Sequence, residues 1–303
     1  MTDSSVPSSR RTVLAATAGA LLMPRAWAAA SDPWEGATLS QARQREVTSA
    51  ITGQRYRIFL GVPEGPTPPG GHPVLFALDG NATFPSLALM ARTVGWRAKA
   101  TGQAAPVVVG IGYATDKDYD VARGRDYTPP SGEGTPPGEG GADRFLDFIE
   151  QELRPLVHAI APLDPKRQAL FGHSYGGLCT LHALFTRPAM FHTYIAASPS
   201  IWYRERAVLA QYEPFRQRVA ALPTKPSLLL TAGELEQPAA DGGSGSRNPE
   251  AAKRRMVDEA RELAARLSSA GSLARVQFQL LPHENHGSAM FPAMSRGMEF
   301  FVG

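Results

Sequence analysis

The sequence predicts an α/β architecture: a mostly parallel, eight-stranded sheet with helices on both faces. Three observations carry that reading. Short segments rich in β-branched and aromatic residues alternate with helix-length patterns from about residue 46 to the end of the chain, as strands and crossover helices do in an α/β sheet. Several short segments are continuous apolar runs, such as Val107-Val108-Val109 and Leu228-Leu229-Leu230, which suit strands covered on both faces. The 303 residues, 43% hydrophobic and 19% charged, match one globular α/β domain with loops and not a disordered or fibrous chain.

In chain order, residues 1–28 read as an export signal. Arg10-Arg11 precede an apolar run ending at Met23, and Ala26-Trp27-Ala28 is a small-x-small cleavage site. The paired arginines and Arg25 predict twin-arginine export, with that machinery as the precursor's partner, cleavage near Ala28 and a periplasmic mature protein. The run is about half the ~20 residues needed to span a bilayer, and no later segment is apolar enough. Residues 29–303 are predicted to form a single domain. Its strands are expected at Glu46–Ala50, Tyr56–Val62, Val74–Leu78, Val107–Gly112, Ala169–Gly172, Tyr194–Ala197, Ser227–Thr231 and Val276–Leu281. The first two alternate polar and apolar residues and predict an antiparallel edge. Helical periodicity marks Asp143–Ala159, where Phe145, Phe148, Ile149 and Leu153 share a face, and also Tyr175–Arg187 and Glu250–Ser269. Pro63–Pro73, Pro129–Gly141 and Gln237–Pro249 read as loops.

The net charge of +3 is misleading, because the signal contains three arginines and one aspartate; the remainder has 28 basic and 27 acidic residues. That balance gives no general affinity for nucleic acid or a membrane surface. The single cysteine, Cys179, lies in an apolar stretch and reads as buried filler. No cofactor or metal site is expected.

The strongest local signal is Gly172-His173-Ser174-Tyr175-Gly176-Gly177, between a strand and a helix. A sharp strand-to-helix turn lifts a serine hydroxyl clear of a sheet only where the flanking residues are almost without side chains, so Ser174 is the candidate nucleophile. A serine needs a base. Of seven histidines, His72, His158, His182 and His192 sit in loop or helical contexts, and His173 is expected to point away. His286 and His283 remain, after the last strand, and His286 is favoured as further out and next to Gly287. The acid should lie between serine and base in a loop after a strand, where Glu234 and Glu236 are both available, with Glu236 preferred. The oxyanion hole is assigned to the backbone N–H groups of Tyr175 and Asn81, with Gly80 as the neighbouring option.

Five segments appear in order: Val74-Leu75-Phe76-Ala77-Leu78-Asp79-Gly80-Asn81, Arg123-Gly124-Arg125-Asp126-Tyr127-Thr128-Pro129, the elbow, Ala197-Ser198-Pro199-Ser200-Ile201-Trp202, and Glu284-Asn285-His286-Gly287-Ser288. Together they resemble the esterase-D-like esterases of the α/β-hydrolase fold, and within them the bacterial ferric-siderophore esterases of the enterobactin and salmochelin type. The resemblance implies nucleophile Ser174, base His286, oxyanion donors Asn81 and Tyr175, and Arg123 and Trp202 beside the substrate. It implies a small-molecule ester substrate, a catecholate siderophore with or without iron, cleaved through an acyl-enzyme. Some members work as a serine–histidine dyad, which leaves the acid open. A general carboxylesterase would use the same machinery. A hydrolase-like binding protein would not need to keep it.

Overall fold

The computed structural model describes residues 36–130, 132, 135–238 and 249–303, and the predicted signal peptide lies outside them. Eight strands form one sheet: β1 (Ala42–Thr48), β2 (Arg55–Gly61), β3 (His72–Leu78), β4 (Val107–Tyr113), β5 (Leu163–His173), β6 (Thr193–Ala197), β7 (Ser227–Gly233) and β8 (Arg275–Leu281). Their spatial order is β1-β2-β4-β3-β5-β6-β7-β8. The β1/β2 and β2/β4 pairs are antiparallel, and every other pair is parallel. The expected antiparallel edge is therefore present, and the continuous apolar runs form the interior strands.

The helices are α1 (Gly80–Thr101), α2 (Arg123–Tyr127), α3 (Ala142–Asp147), α4 (Arg154–His158), α5 (Tyr175–Thr186), α6 (Tyr203–Arg206), α7 (Tyr212–Ala220), α8 (Pro249–Arg254), α9 (Met256–Ser269) and α10 (Met290–Val302). A wider π-type turn, Phe148–Leu153, joins α3 to α4, so the expected helix over Asp143–Ala159 is one run with a changed pitch. The pattern over Glu250–Ser269 is broken at Arg255, whose φ of 46° ends α8 and starts α9. Helix α1 was not anticipated. It opens on Gly-Asn and contains Pro85, residues that read as a turn. Yet Phe84, Leu87, Ala88, Ala91 and Val94 recur at helical spacing and are buried.

Each central strand feeds two cores by alternation. On one face, Val74, Phe76, Leu78, Val107, Val109, Leu170, Leu228 and Leu230 pack with Leu178, Leu181 and Phe185 of α5 and Leu263 of α9. On the other, Leu75, Ala77, Val108, Phe171, Ile195 and Leu229 pack with α1 and with Met290, Met294 and Met298 of α10. Cys179 is fully buried in the first core, and burial pushes its thiol up, away from reactivity. Residues Leu39–Gly303 form one compact unit. Among the described residues no helix is long and apolar enough to cross a membrane.

Candidate active site

The carboxyl ends of β3, β5, β7 and β8 bring the predicted residues together. Ser174 joins β5 to α5 with φ 60° and ψ −116°, a conformation a side chain rarely adopts. The turn is held from both sides: Ser174 N–H donates to the Ala197 carbonyl, and Ser200 N–H donates to the Ser174 carbonyl. The glycines are not equally necessary. A methyl group on Gly172 would lie 2.1 Å from the Gly176 carbonyl oxygen, and one on Gly177 would lie 2.8 Å from the Ala197 carbonyl oxygen. At Gly176 the nearest atom would be Leu78 Cβ at 3.4 Å, an ordinary contact. Close packing therefore constrains Gly172 and Gly177, a different pair from the symmetric one the motif suggests.

His286 Nε2 is 3.0 Å from Ser174 Oγ, and His286 Nδ1 is 2.7 Å from Glu236 Oε2. An ionised carboxylate only accepts, so Nδ1 carries the hydrogen and Nε2 is left to accept from the serine hydroxyl. Glu236 sits in a single 3₁₀ turn, Glu234–Glu236, immediately after β7. Its other oxygen accepts from the Ser198 hydroxyl at 2.5 Å and from Gly233 N–H at 2.6 Å. Burial acts to raise the Glu236 carboxyl, but the hydrogen bond and charge of His286, with the Ser198 and Gly233 donors, outweigh it and hold the group below its usual range. Glu234 turns the other way and accepts from His283 N–H at 2.8 Å. The His283 side chain is 94% exposed. Within the loop of His286, Asn285 Oδ1 accepts from the N–H groups of Gly287 and Ser288, and Leu235 N–H donates to the Glu284 carbonyl.

His173 departs from expectation. Its ring does not avoid the site but packs 4.8 Å, centroid to centroid, from that of His286. Burial, helped by His286, lowers its pKa to about 4, so it remains neutral beside the other imidazole.

The Asp79-Gly80-Asn81 turn ends β3 and begins α1. The Asn81 carboxamide is committed to the end of β4, donating to the Tyr113 and Thr115 carbonyls and accepting from Tyr113 N–H. Only backbone amides of this turn remain to face a substrate, as first-turn amides of a helix lack intrahelical partners. Gly80 is required here, since a methyl group would lie 2.6 Å from the Gly110 carbonyl carbon.

Arg123 and Trp202 both line a cavity of about 470 Å³ that has Ser174 and His286 in its wall. Arg123, however, is bound to an acid: its Nε and Nη2 each donate to the Asp79 carboxylate at 2.8 Å. The rest of the Arg-x-x-Asp-Tyr-Thr-Pro segment is also structural. Tyr127 OH accepts from Asp79 N–H, and Asp126 accepts from Tyr56 OH, Tyr113 OH and Arg125. Sequence reasoning missed Ser198, which supports Glu236, and Arg254, which enters the cavity over Trp202 at 4.6 Å. A Ser-Pro-Ser-Ile-Trp run gives no sign that its first hydroxyl binds a glutamate 38 residues on.

The geometry is that of a site able to activate a serine for acyl transfer. Comparison with known proteins agrees. The family model described as "Putative esterase" matches residues 49–279. The ferri-bacillibactin esterase BesA of Bacillus subtilis is 36% identical over 273 residues, covering 87% of this chain and 90% of its own. The siderophore triacetylfusarinine C esterase of Aspergillus fumigatus is 39% identical over 77% of this chain and 82% of its own. Among solved structures, the BES protein of Bacillus cereus superposes with a TM-score of 0.78 at 31% identity, covering 89% of this chain and 98% of that one. The chain belongs to this esterase family, and it is a carboxylic ester hydrolase of the α/β-hydrolase fold.

Proposed function

We propose that the protein hydrolyses the ester bonds of a catecholate siderophore through an acyl-enzyme on Ser174. The observation that carries the chemistry is the unbroken line from Ser174 Oγ through His286 to Glu236 at the wall of the cavity. Ser174 Oγ attacks the ester carbonyl carbon while its proton passes to His286 Nε2. Glu236 stabilises the imidazolium, and the N–H groups of Tyr175 and Asn81 receive the oxyanion. His286 then gives the proton to the departing alcohol oxygen as the C–O bond breaks. Water attacks the acyl-enzyme, its proton passing to His286 and back to Ser174 Oγ as the acid leaves. The substrate class rests on the relatives, which are named esterases of ferri-bacillibactin and triacetylfusarinine C. Iron would enter only as the substrate's cargo.

We further propose that residues 1–28 direct export to the periplasm and are removed near Ala28, leaving residues 29–303 as one domain. Amino-terminal sequencing of the protein recovered from the periplasm tests that boundary.

The central experiment incubates the protein with ferric enterobactin, iron-free enterobactin and a p-nitrophenyl ester, and follows products by mass. Cleavage of either enterobactin form, lost in Ser174→Ala with the fold retained, is the expected result. Turnover of the p-nitrophenyl ester alone would make the protein a general carboxylesterase. Full activity in Ser174→Ala would remove the serine from the mechanism.

A further inference from the structure

Among the described residues two guanidinium groups line the cavity, and they differ in what already holds them. Arg123 is spent on Asp79: both its side-chain hydrogen bonds are charge-assisted at 2.8 Å, and Asp79 is 2% exposed. An anion arriving there would meet a neutralised pair. Arg254 is exposed, lies over the Trp202 ring at 4.6 Å and makes no ion pair with any described residue. The break at Arg255 produces this difference. With φ 46°, Arg255 ends α8 and turns its own guanidinium to Asp258, Glu259 and Glu262, while Arg254, one residue earlier, faces the cavity.

We propose that Arg254, held over the Trp202 ring, forms the subsite for an anionic aromatic arm of the ester substrate, and that Arg123 positions the oxyanion turn instead. The proposal rests on the siderophore-ester reading above and names the residue that would select for it. A guanidinium held over an indole face still has N–H donors to offer, and its planar fork matches two adjacent oxygens on one ring. Tyr175, whose ring is 6.4 Å from Trp202, continues the aromatic wall toward Ser174. A ring held at Arg254 would therefore lie along the path to the nucleophile. Arg123 grips the carboxylate of Asp79, which has a left-handed φ of 52° and donates its N–H to Tyr127, directly before the Gly80 and Asn81 amides.

The test uses 2,3-dihydroxybenzamide and its 2,3-dimethoxy counterpart as inhibitors of p-nitrophenyl butyrate hydrolysis, so it reads the subsite whether or not a siderophore is cleaved. In Arg254→Gln the inhibition constant of the dihydroxy compound should rise about ten- to a hundredfold, the range for losing a charge-assisted contact. That of the dimethoxy compound should rise at least tenfold less. Arg254→Lys should recover part of the loss. Arg123→Lys should instead lower kcat for p-nitrophenyl butyrate and enterobactin by similar factors. An unchanged dihydroxy constant in Arg254→Gln, or equal losses for the two inhibitors, would overturn the subsite. A selective loss in Arg123→Lys would return the role to Arg123. Failure of the wild type to cleave enterobactin, with the inhibitor preference intact, would remove the siderophore reading and leave the subsite standing.

Discussion

At the residue scale, Glu236 is the side chain whose surroundings say most about the reaction. Three donors converge on a carboxylate that is almost wholly buried, so it stays ionised and keeps the imidazole in one tautomer. Replacing it by glutamine would present an N–H₂ group either to Nδ1 or to Gly233 N–H, so either a contact fails or the imidazole takes the other tautomer. Glu236→Gln should lower kcat by up to ~10⁴, the loss associated with a misplaced tautomer in a serine triad. Glu234→Gln should cost less than tenfold, because Glu234 serves only the His283 loop. Steady-state hydrolysis of a p-nitrophenyl ester compares them, and a loss below tenfold in both would make the enzyme an effective dyad. The sequence could narrow the acid to these two residues but had no physical means to choose. Two positions apart they would share a face on a strand, and the 3₁₀ turn that separates them is set by Gly233. A methyl group there would lie 2.4 Å from the Glu284 carbonyl oxygen. That contact is between loops distant in sequence.

Among the elements, the strand-turn-helix of Ser174 was the most legible, because a local steric demand writes itself directly into glycines. Gly172→Ala tests that demand. The added methyl group would overlap the Gly176 carbonyl, so the elbow must open. Activity should fall by more than a hundredfold, with stability lower by about 1–3 kcal/mol, the range for overpacking a well-filled site. Denaturant unfolding beside kinetics checks both, whereas Gly176→Ala should be milder on each measure because its methyl group makes only ordinary contacts. Normal turnover in Gly172→Ala would refute the close-packing account. Helix α1 was illegible for the opposite reason. Its opening Gly80-Asn81 answers to close packing against β4 and its Pro85 reads as a breaker, so neither signals the helix that follows. The break at Arg255 is equally hidden: the helical period runs through it, although in the structure its guanidinium reaches Asp258, Glu259 and Glu262 of the helix that it opens.

For the whole molecule, the mostly parallel sheet and its antiparallel edge followed from alternation and apolar runs, since burial on one or two faces is a property of composition, whereas the spatial order of the strands did not. What composition hides is which polar groups end up inside. Burial lowers the pKa of His72, His173 and His192, with His173 reaching about 4. In the unfolded chain each titrates near 6.5. The stability from keeping them neutral is therefore present above pH ~6.5 and declines as pH falls, because the unfolded state takes up protons that the folded state refuses. For His173 the decline is complete near pH 4 and amounts to about 3 kcal/mol. Urea unfolding at pH 7.5, 6 and 5 should show a falling midpoint, with a shallower slope in His173→Asn. Parallel slopes would mean that His173 takes up its proton in the folded protein.

The route of the chain through the sheet has one more outcome. Ser174 leaves a central strand, whereas His286 follows β8, which pairs only with β7 at the far edge. A chain still lacking its last strand has the serine but neither its base nor the helix α10 that completes the second core. Ser174 thus gains its base only once the final stretch of the chain has been made and folded, since a hydroxyl without a base is a poor nucleophile.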